Sequence, residues 1–314
     1  MANNDRHYPY LTRAMQALLQ RARSRGLETA IEPSTGFSAT IAMPDRTAII
    51  TGADCGLNGS AAARLSADKY FTEFFLRRQG IACVASRLLD QSDEVSALNP
   101  VYPCIVKPNK GLAGQGFSRV DTAQQITRAV AFARQYCPQV LVQPLIHKRE
   151  FRLVLLDGEL LYAYERKPWV VVGDGRTSIA GFIRQRNEVC RPGNAIDEDD
   201  PGLLWQLHNT GKDLHYVPAD NEAVQLFANA NLKKGASSHT IEVFDTAYLE
   251  IVASAVHAIG LRYAGVDLFC NQPERFDLDY AILEINANPG FDHLQKNPQQ
   301  FKTVLDRIAA ALFD

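Results

Sequence analysis

A chain of 314 residues that is 46% hydrophobic and 22% charged has the composition of a folded globular protein, which excludes a mainly disordered or collagen-like chain and leaves room for about two domains. Its 33 basic and 35 acidic side chains leave a net charge of −2, so no basic field draws it to nucleic acid. No apolar run approaches the roughly 18 residues of a membrane helix, and the N-terminus lacks a basic-then-apolar signal pattern.

In chain order, Tyr8, Leu11, Met15, Leu18, Leu19 and Ala22 fall on one face of a helix over 8–25 that Gly26 can end. Thr40–Ala42 and Ala48–Ile50 read as short strands, followed by a loop through Gly52, Gly56, Asn58 and Gly59. Ser66 is expected to cap a helix to Arg78, with Gly80 as its stop. Ile81–Val84 and Cys104–Lys107 read as strands, Asp121 or Thr122 opens a helix ending near Cys137, and Val140–Val142 is a buried strand. Phe151–Leu156 and Leu160–Tyr164 flank Asp157-Gly158, a strong hairpin signal. Thr177 is expected to cap a helix to Val189, and the acidic stretch 191–202 to be a solvated loop. Asp245 opens a helix to Ile259, Val266–Cys270 and Tyr280–Ile285 read as strands, and 297–312 as a closing amphipathic helix. Mixed elements with an antiparallel hairpin predict an α+β fold and not a doubly wound parallel sheet.

Three segments carry chemistry-bearing residues. Lys107-Pro-Asn-Lys110-Gly111-Leu-Ala-Gly114-Gln-Gly116 joins a strand lysine to a glycine-rich turn, which either holds a polyphosphate on its N–H groups or is a plain hairpin. It matches neither the P-loop nor the Rossmann pattern. Asp267 sits in an apolar strand, and Glu284 and Asn286, two apart on another, share a face. Their oxygens suit Mg²⁺; a strand whose polar face meets water is the competing reading. Glu150 and Arg166 close opposite strands of the hairpin, where one can bind a ribose and the other a phosphate, or both can be surface charges. Cys55, Cys83, Cys104, Cys137, Cys190 and Cys270 form no C-x-x-C pair and read as reduced thiols of a cytoplasmic protein. The seven histidines show no metal-binding spacing, and His293 near Pro289-Gly290 can face a substrate.

The order of Asp68-Lys69, Val106-Lys107-Pro, Val172-Gly-Asp-Gly175, Ala264-Gly-Val-Asp267 and Glu284-Ile-Asn-Ala-Asn-Pro-Gly290 resembles the ATP-grasp superfamily over about 66–295. Within it the chain is most similar to the carboxylate–amine ligase modules of cyanophycin synthetase and bifunctional glutathione synthetase. The resemblance implies two α+β lobes clamping ATP: a short N-terminal substrate-side segment at 1–65, a small lobe at 66–143 and a large lobe at 144–314. It implies that Lys69 and Lys107 contact phosphates under a lid formed by Lys110, Gly111, Gly114 and Gly116. Gln143, Pro144, Leu145 and Ile146 would read adenine and Glu150 the ribose. Asp267, Glu284 and Asn286 would hold Mg²⁺ or Mn²⁺, with Arg166 and Asn231 beside the transferred phosphoryl group.

Departures from the pattern are Gln143 for glutamate, Glu73 for a helix lysine, Phe227 for an arginine and Lys233-Lys234 for Ser-Thr, the last two where an acceptor would bind. The implied activity is ATP-dependent joining of a carboxylate to an amine, amino acids or small peptides, through an acylphosphate. The alternatives are a non-catalytic ATP-binding module and a kinase on this fold. The expected partners are ATP and these small substrates, with no nucleic acid and no membrane; homodimers are common among similar enzymes.

Overall fold

The computed structural model describes residues 10–95, 98–111, 114–190 and 194–314. His7, Tyr8, Leu112, Ala113 and the start of the acidic stretch at 191–193 lie outside the described residues. The elements are α1 (Arg13–Ser24), β1 (Thr29–Ile31), β2 (Ser38–Ala42), β3 (Thr47–Thr51), α2 (Ser60–Ser66), α3 (Lys69–Arg78), β4 (Arg87–Leu89), β5 (Cys104–Pro108), β6 (Ser118–Val120), α4 (Ala123–Arg134) and β7 (Val140–Pro144). They continue with β8 (Arg149–Leu156), β9 (Glu159–Lys167), β10 (Val170–Val172), α5 (Ile179–Val189), α6 (Pro201–Asn209), β11 (Ala223–Gln225), β12 (Ser237–Ile241), α7 (Thr246–Ile259), β13 (Tyr263–Cys270), β14 (Ala281–Ala287) and α8 (Pro298–Phe313). Among the described residues no helix is long and apolar enough to cross a membrane.

The fold is α+β, as expected, and its paired strands are antiparallel. The largest sheet runs β12-β9-β8-β13-β14, and a smaller one runs β4-β7-β5-β6. Asp157 (φ 51°) and Gly158 (φ 82°) make the β8–β9 turn, the left-handed pair that a two-residue hairpin requires.

Period-two alternation gives the large sheet two unlike faces. On one, Phe151, Leu153, Leu155, Val266 and Leu268 pack under Tyr248, Val252 and Val256 of α7, together with Leu76 of α3. The other face changes character along its length. Val154, Leu156, Tyr162 and Tyr263 are covered by α1, β2, β3 and α8 in one shared apolar core. Further along the same strands the face carries Glu150, Arg152, Arg166, Asp267, Glu284 and Asn286, placed together by the register Glu150↔Arg166, Arg152↔Asp267 and Asp267↔Glu284. The small sheet packs on α4 through Val106, Val120, Val140, Ile126 and Val130. Trp205 of α6 closes that core, donating its indole N–H to Arg119 O at 3.0 Å.

Local expectations fail at four points. Asp68, not Ser66, caps α3, accepting from Phe71 N, because Ser66 already ends α2, a helix the small residues of Ser60–Ala63 did not announce. Ile81–Val84 forms no strand: it makes a single bridge, Cys83↔Ile282, along the outer edge of β14. Ser178, not Thr177, caps α5, since Asp174 holds both the Thr177 N–H and its hydroxyl. The acidic stretch ends as a helix cap: Asp200 accepts from Gly202 N and Leu203 N at the start of α6.

Candidate active site

Asp267 is fully buried at the centre of the polar half-face. Its two oxygens take the Arg152 guanidinium bidentately, the Nη2–Oδ2 bond being 2.7 Å, and Oδ2 also receives Arg166 Nη2 at 2.6 Å. Arg166 reaches across the hairpin to Glu150 as well. Burial raises the pKa of Glu150 by more than Arg166 lowers it. Gly265 makes this packing possible: a side chain there would come within 3.0–3.1 Å of Arg152.

Lys107 lies near the end of β5 and is 5% exposed. Burial pulls its ammonium down to about 8, against the opposing charge of Glu284. Burial also pushes the Glu284 carboxyl up, but the charges of Lys107 and Lys69 and a 3.0 Å bond from Asn286 outweigh it and hold Glu284 well below the usual carboxylate range. Lys69 opens α3, whose start is fixed to the end of β5 by Asn109. The Asn109 amide donates to Asp68 Oδ1 at 2.9 Å and accepts from Tyr70 N, while Lys69 Nζ donates to Asn109 O at 3.3 Å. Four cations (Lys69, Lys107, Arg152, Arg166) thus act on three carboxylates (Glu150, Asp267, Glu284) in one cluster. Such a site is short of negative charge and suits a polyanion.

Of the residues singled out in the sequence, Lys69, Lys107, Glu150, Arg166, Asp267, Glu284 and Asn286 come together. Lys110 instead pairs with Asp68 at 3.1 Å. Gly114 (φ +71°) lies against Asn229, leaving no space for a side chain, so the glycine segment reaches the asparagine loop; Gly116 packs on Pro108 and Tyr136, and Gly111 is exposed. Gln143 is buried and donates to Ser86 Oγ at 2.7 Å, Leu145 N–H donates to Pro103 O at 3.3 Å, and Pro144 and Ile146 complete the link to β8. The Asn231 side chain caps the short turn Leu232–Lys234, accepting from Lys233 N at 2.9 Å. Lys234 pairs with Asp200 at 2.9 Å. Arg152 is the residue that the sequence reading passed over; its signal was its position two residues after Glu150, on the same strand face.

Glu284, held ionised, and Asn286 offer oxygens suited to a hard divalent cation. Asp267 shares their face, but both its oxygens are engaged by Arg152 and Arg166, and it would join them only on release from a guanidinium. Among the described residues no group of three or more His, Cys, Asp or Glu side chains forms a complete ligand set. A cation there would complete its shell with waters or phosphate oxygens, as Mg²⁺ commonly does.

Residues 76–171 match the family described as D-ala D-ala ligase C-terminus. Among solved structures, the fold superposes on a bifunctional glutathione synthetase from Pasteurella multocida with a TM-score of 0.56 and 21% identity, covering 94% of this chain and 44% of that one. A D-alanine–D-alanine ligase from Bacillus anthracis gives 0.54 and 15% identity, over 81% of this chain and 70% of that one. The chain has the ATP-grasp fold. The chain is also 29% identical over 248 residues to cyanophycin synthetase of Trichormus variabilis, covering 74% of this chain and 27% of that protein. It is 28% identical over 270 residues to the glutathione biosynthesis bifunctional protein GshAB of Streptococcus mutans, covering 79% and 35%. It therefore spans about a third or less of the length of these relatives.

Proposed function

We propose that this chain is an ATP-dependent carboxylate–amine ligase acting on an amino acid or small peptide in the cytoplasm. The observation that carries the reading is the convergence of Lys107, Arg166, Asp267, Glu284 and Asn286 in one charged cluster where β5 approaches the large sheet of an ATP-grasp fold. In the first step a substrate carboxylate oxygen attacks the γ-phosphorus of ATP; the bond from that phosphorus to the β–γ bridging oxygen breaks, leaving an acylphosphate and ADP. In the second an amine attacks the acyl carbon, phosphate leaves, and the nitrogen loses its extra proton to solvent, giving an amide.

Lys69, Lys107 and Arg166 would neutralise charge as two anions approach, and because they are held by Asn109, by burial and by Asp267, little reorganisation accompanies the reaction. Mg²⁺ held by Asp267, Glu284 and Asn286 would add charge neutralisation at the β- and γ-phosphates. The glycine segment from Lys110 to Gly116 would keep water from the acylphosphate. Glu150 would take the ribose hydroxyls, and the Gln143–Ile146 link would frame the adenine.

The test is release of ADP and phosphate from Mg·ATP with amino acids supplied singly and in pairs. The expected result is release that needs both a carboxylate and an amine and falls at least about 100-fold in Glu284→Ala, the scale of losing one charge-stabilising group. ATP consumption with an alcohol alone and no free phosphate would instead identify a kinase. Tight ATP binding without turnover under any pairing would identify a binding module.

A further inference from the structure

The charged cluster does not account for a recess on the same face of the large sheet. It has a volume of about 90 Å³ and lies between β9, β12, the turn Asp292–Lys296 and the start of α8, with Tyr162, Tyr164, Thr240, His293, Lys296 and Gln300 in its wall. Tyr164 stands directly opposite Arg152 in the β8–β9 register, so the recess opens beside the charged cluster.

Three of its polar atoms, Tyr162 OH, His293 Nε2 and Gln300 Oε1, are buried without a hydrogen-bond partner. Tyr162 is only 4% exposed. Buried polar groups are seldom left unpaired in a native fold, so a wall carrying three of them suits a polar occupant. No carboxylate lines the recess, and Lys296 stands at its exposed mouth. The charge of Arg152, paired with Asp267, reaches both Tyr164 and His293, and Asp267 and Glu150 also act on Tyr164. Burial, with Arg152 and Lys296, lowers the His293 pKa to about 4, so its imidazole is neutral near pH 7 and adds hydrogen bonding without charge. The 16-residue α8 begins here at its Asn297 cap, with its positive dipole end toward the same space. At about 90 Å³, against the roughly 150 Å³ of a cavity that admits benzene, the recess encloses a small group and leaves the rest of a longer one at its open mouth.

We propose that this recess binds the carboxylate substrate and selects small amino acids with neutral or acidic side chains over those with basic ones. The assignment of the occupant as substrate rests on the ligase reading. A basic side chain would meet Lys296 with no acid in the wall to pair with, whereas a carboxylate would find Lys296 and the unpaired Tyr162 hydroxyl and His293 Nε2, and Gln300 Oε1 would accept from the substrate ammonium.

Calorimetric titration of the protein with L-alanine, L-glutamate, L-lysine and L-arginine, in Mg²⁺ and a non-hydrolysable ATP analogue, tests this without turnover. The expected result is binding of alanine and glutamate at least tenfold tighter than of lysine and arginine. Thr240→Trp, at an exposed strand position that fills the recess, should weaken amino-acid binding at least tenfold and leave analogue binding unchanged. Lys296→Glu should cut the preference for glutamate over lysine at least tenfold. Equal or tighter binding of the basic amino acids, no binding of any of the four, or full binding by Thr240→Trp would overturn the proposal. A chain that binds with the expected preference but never cleaves ATP would overturn the ligase reading and leave the selective recess standing.

Discussion

Asp267→Ala should destabilise the fold by about 3–5 kcal/mol, the range for removing one partner of a buried ion pair, and abolish ATP turnover. Asp267 is fully buried and both its oxygens are engaged, so its loss strands Arg152 in the interior and leaves Arg166 with Glu150 alone. Neither can shed its charge, because arginine stays protonated in proteins. Urea denaturation measures the loss. The control is Glu159→Ala, which removes an exposed pair with Arg307 and should cost less than about 1 kcal/mol. A loss at Asp267 no larger than at Glu159 would contradict the central role given to this carboxylate.

Lys107→Met should lower kcat/KM for ATP by about 100- to 1,000-fold, the scale of one positioned charge at a transition state, with little loss of stability. The two effects separate because the same burial that makes the charge effective makes it costly to the fold. With its pKa lowered to about 8 in the folded chain, Lys107 binds a proton less readily there than when unfolded. Its contribution to stability therefore rises as pH climbs through about 8 toward the usual lysine value, and at neutral pH its charge opposes folding. Catalysis has the opposite sign: the protonated form binds phosphate, so wild-type kcat/KM should fall as pH rises through about 8. The Lys107→Met variant should lack that alkaline limb. An identical limb in both proteins would assign it to another group.

Much of the site was legible because strand periodicity is strict. Glu284 and Asn286 had to share a face, but the Asp157-Gly158 turn alone would set Glu150 against Glu165, and a register shift between Val154 and Leu155 brings Arg166 opposite it instead. What the strands face was not legible. Arg152 reads as one more basic residue until β13 pairs with β8 and brings Asp267 opposite it, a contact 115 residues apart in sequence. The same limit applies to 81–84, whose apolar run suits a strand but meets only the edge of β14. It applies to Tyr164 and His293, whose rings lie 4.7 Å apart only because α8 and its preceding turn fold back over β9. Short-range chemistry misplaced two helix caps by one or two residues, where neighbouring Ser, Thr and Asp side chains competed for the same N–H groups.

Passage of ATP cleavage through an acylphosphate of the substrate carboxylate is tested most directly by supplying the amino acid that supports the fastest phosphate release with ¹⁸O in its carboxyl group, together with an amine and Mg·ATP. The expected result is one ¹⁸O atom in each phosphate released and the other retained in the amide carbonyl. Unlabelled phosphate, formed while ATP is consumed at the same rate, would contradict it, because water and not the carboxylate would then be attacking the γ-phosphorus.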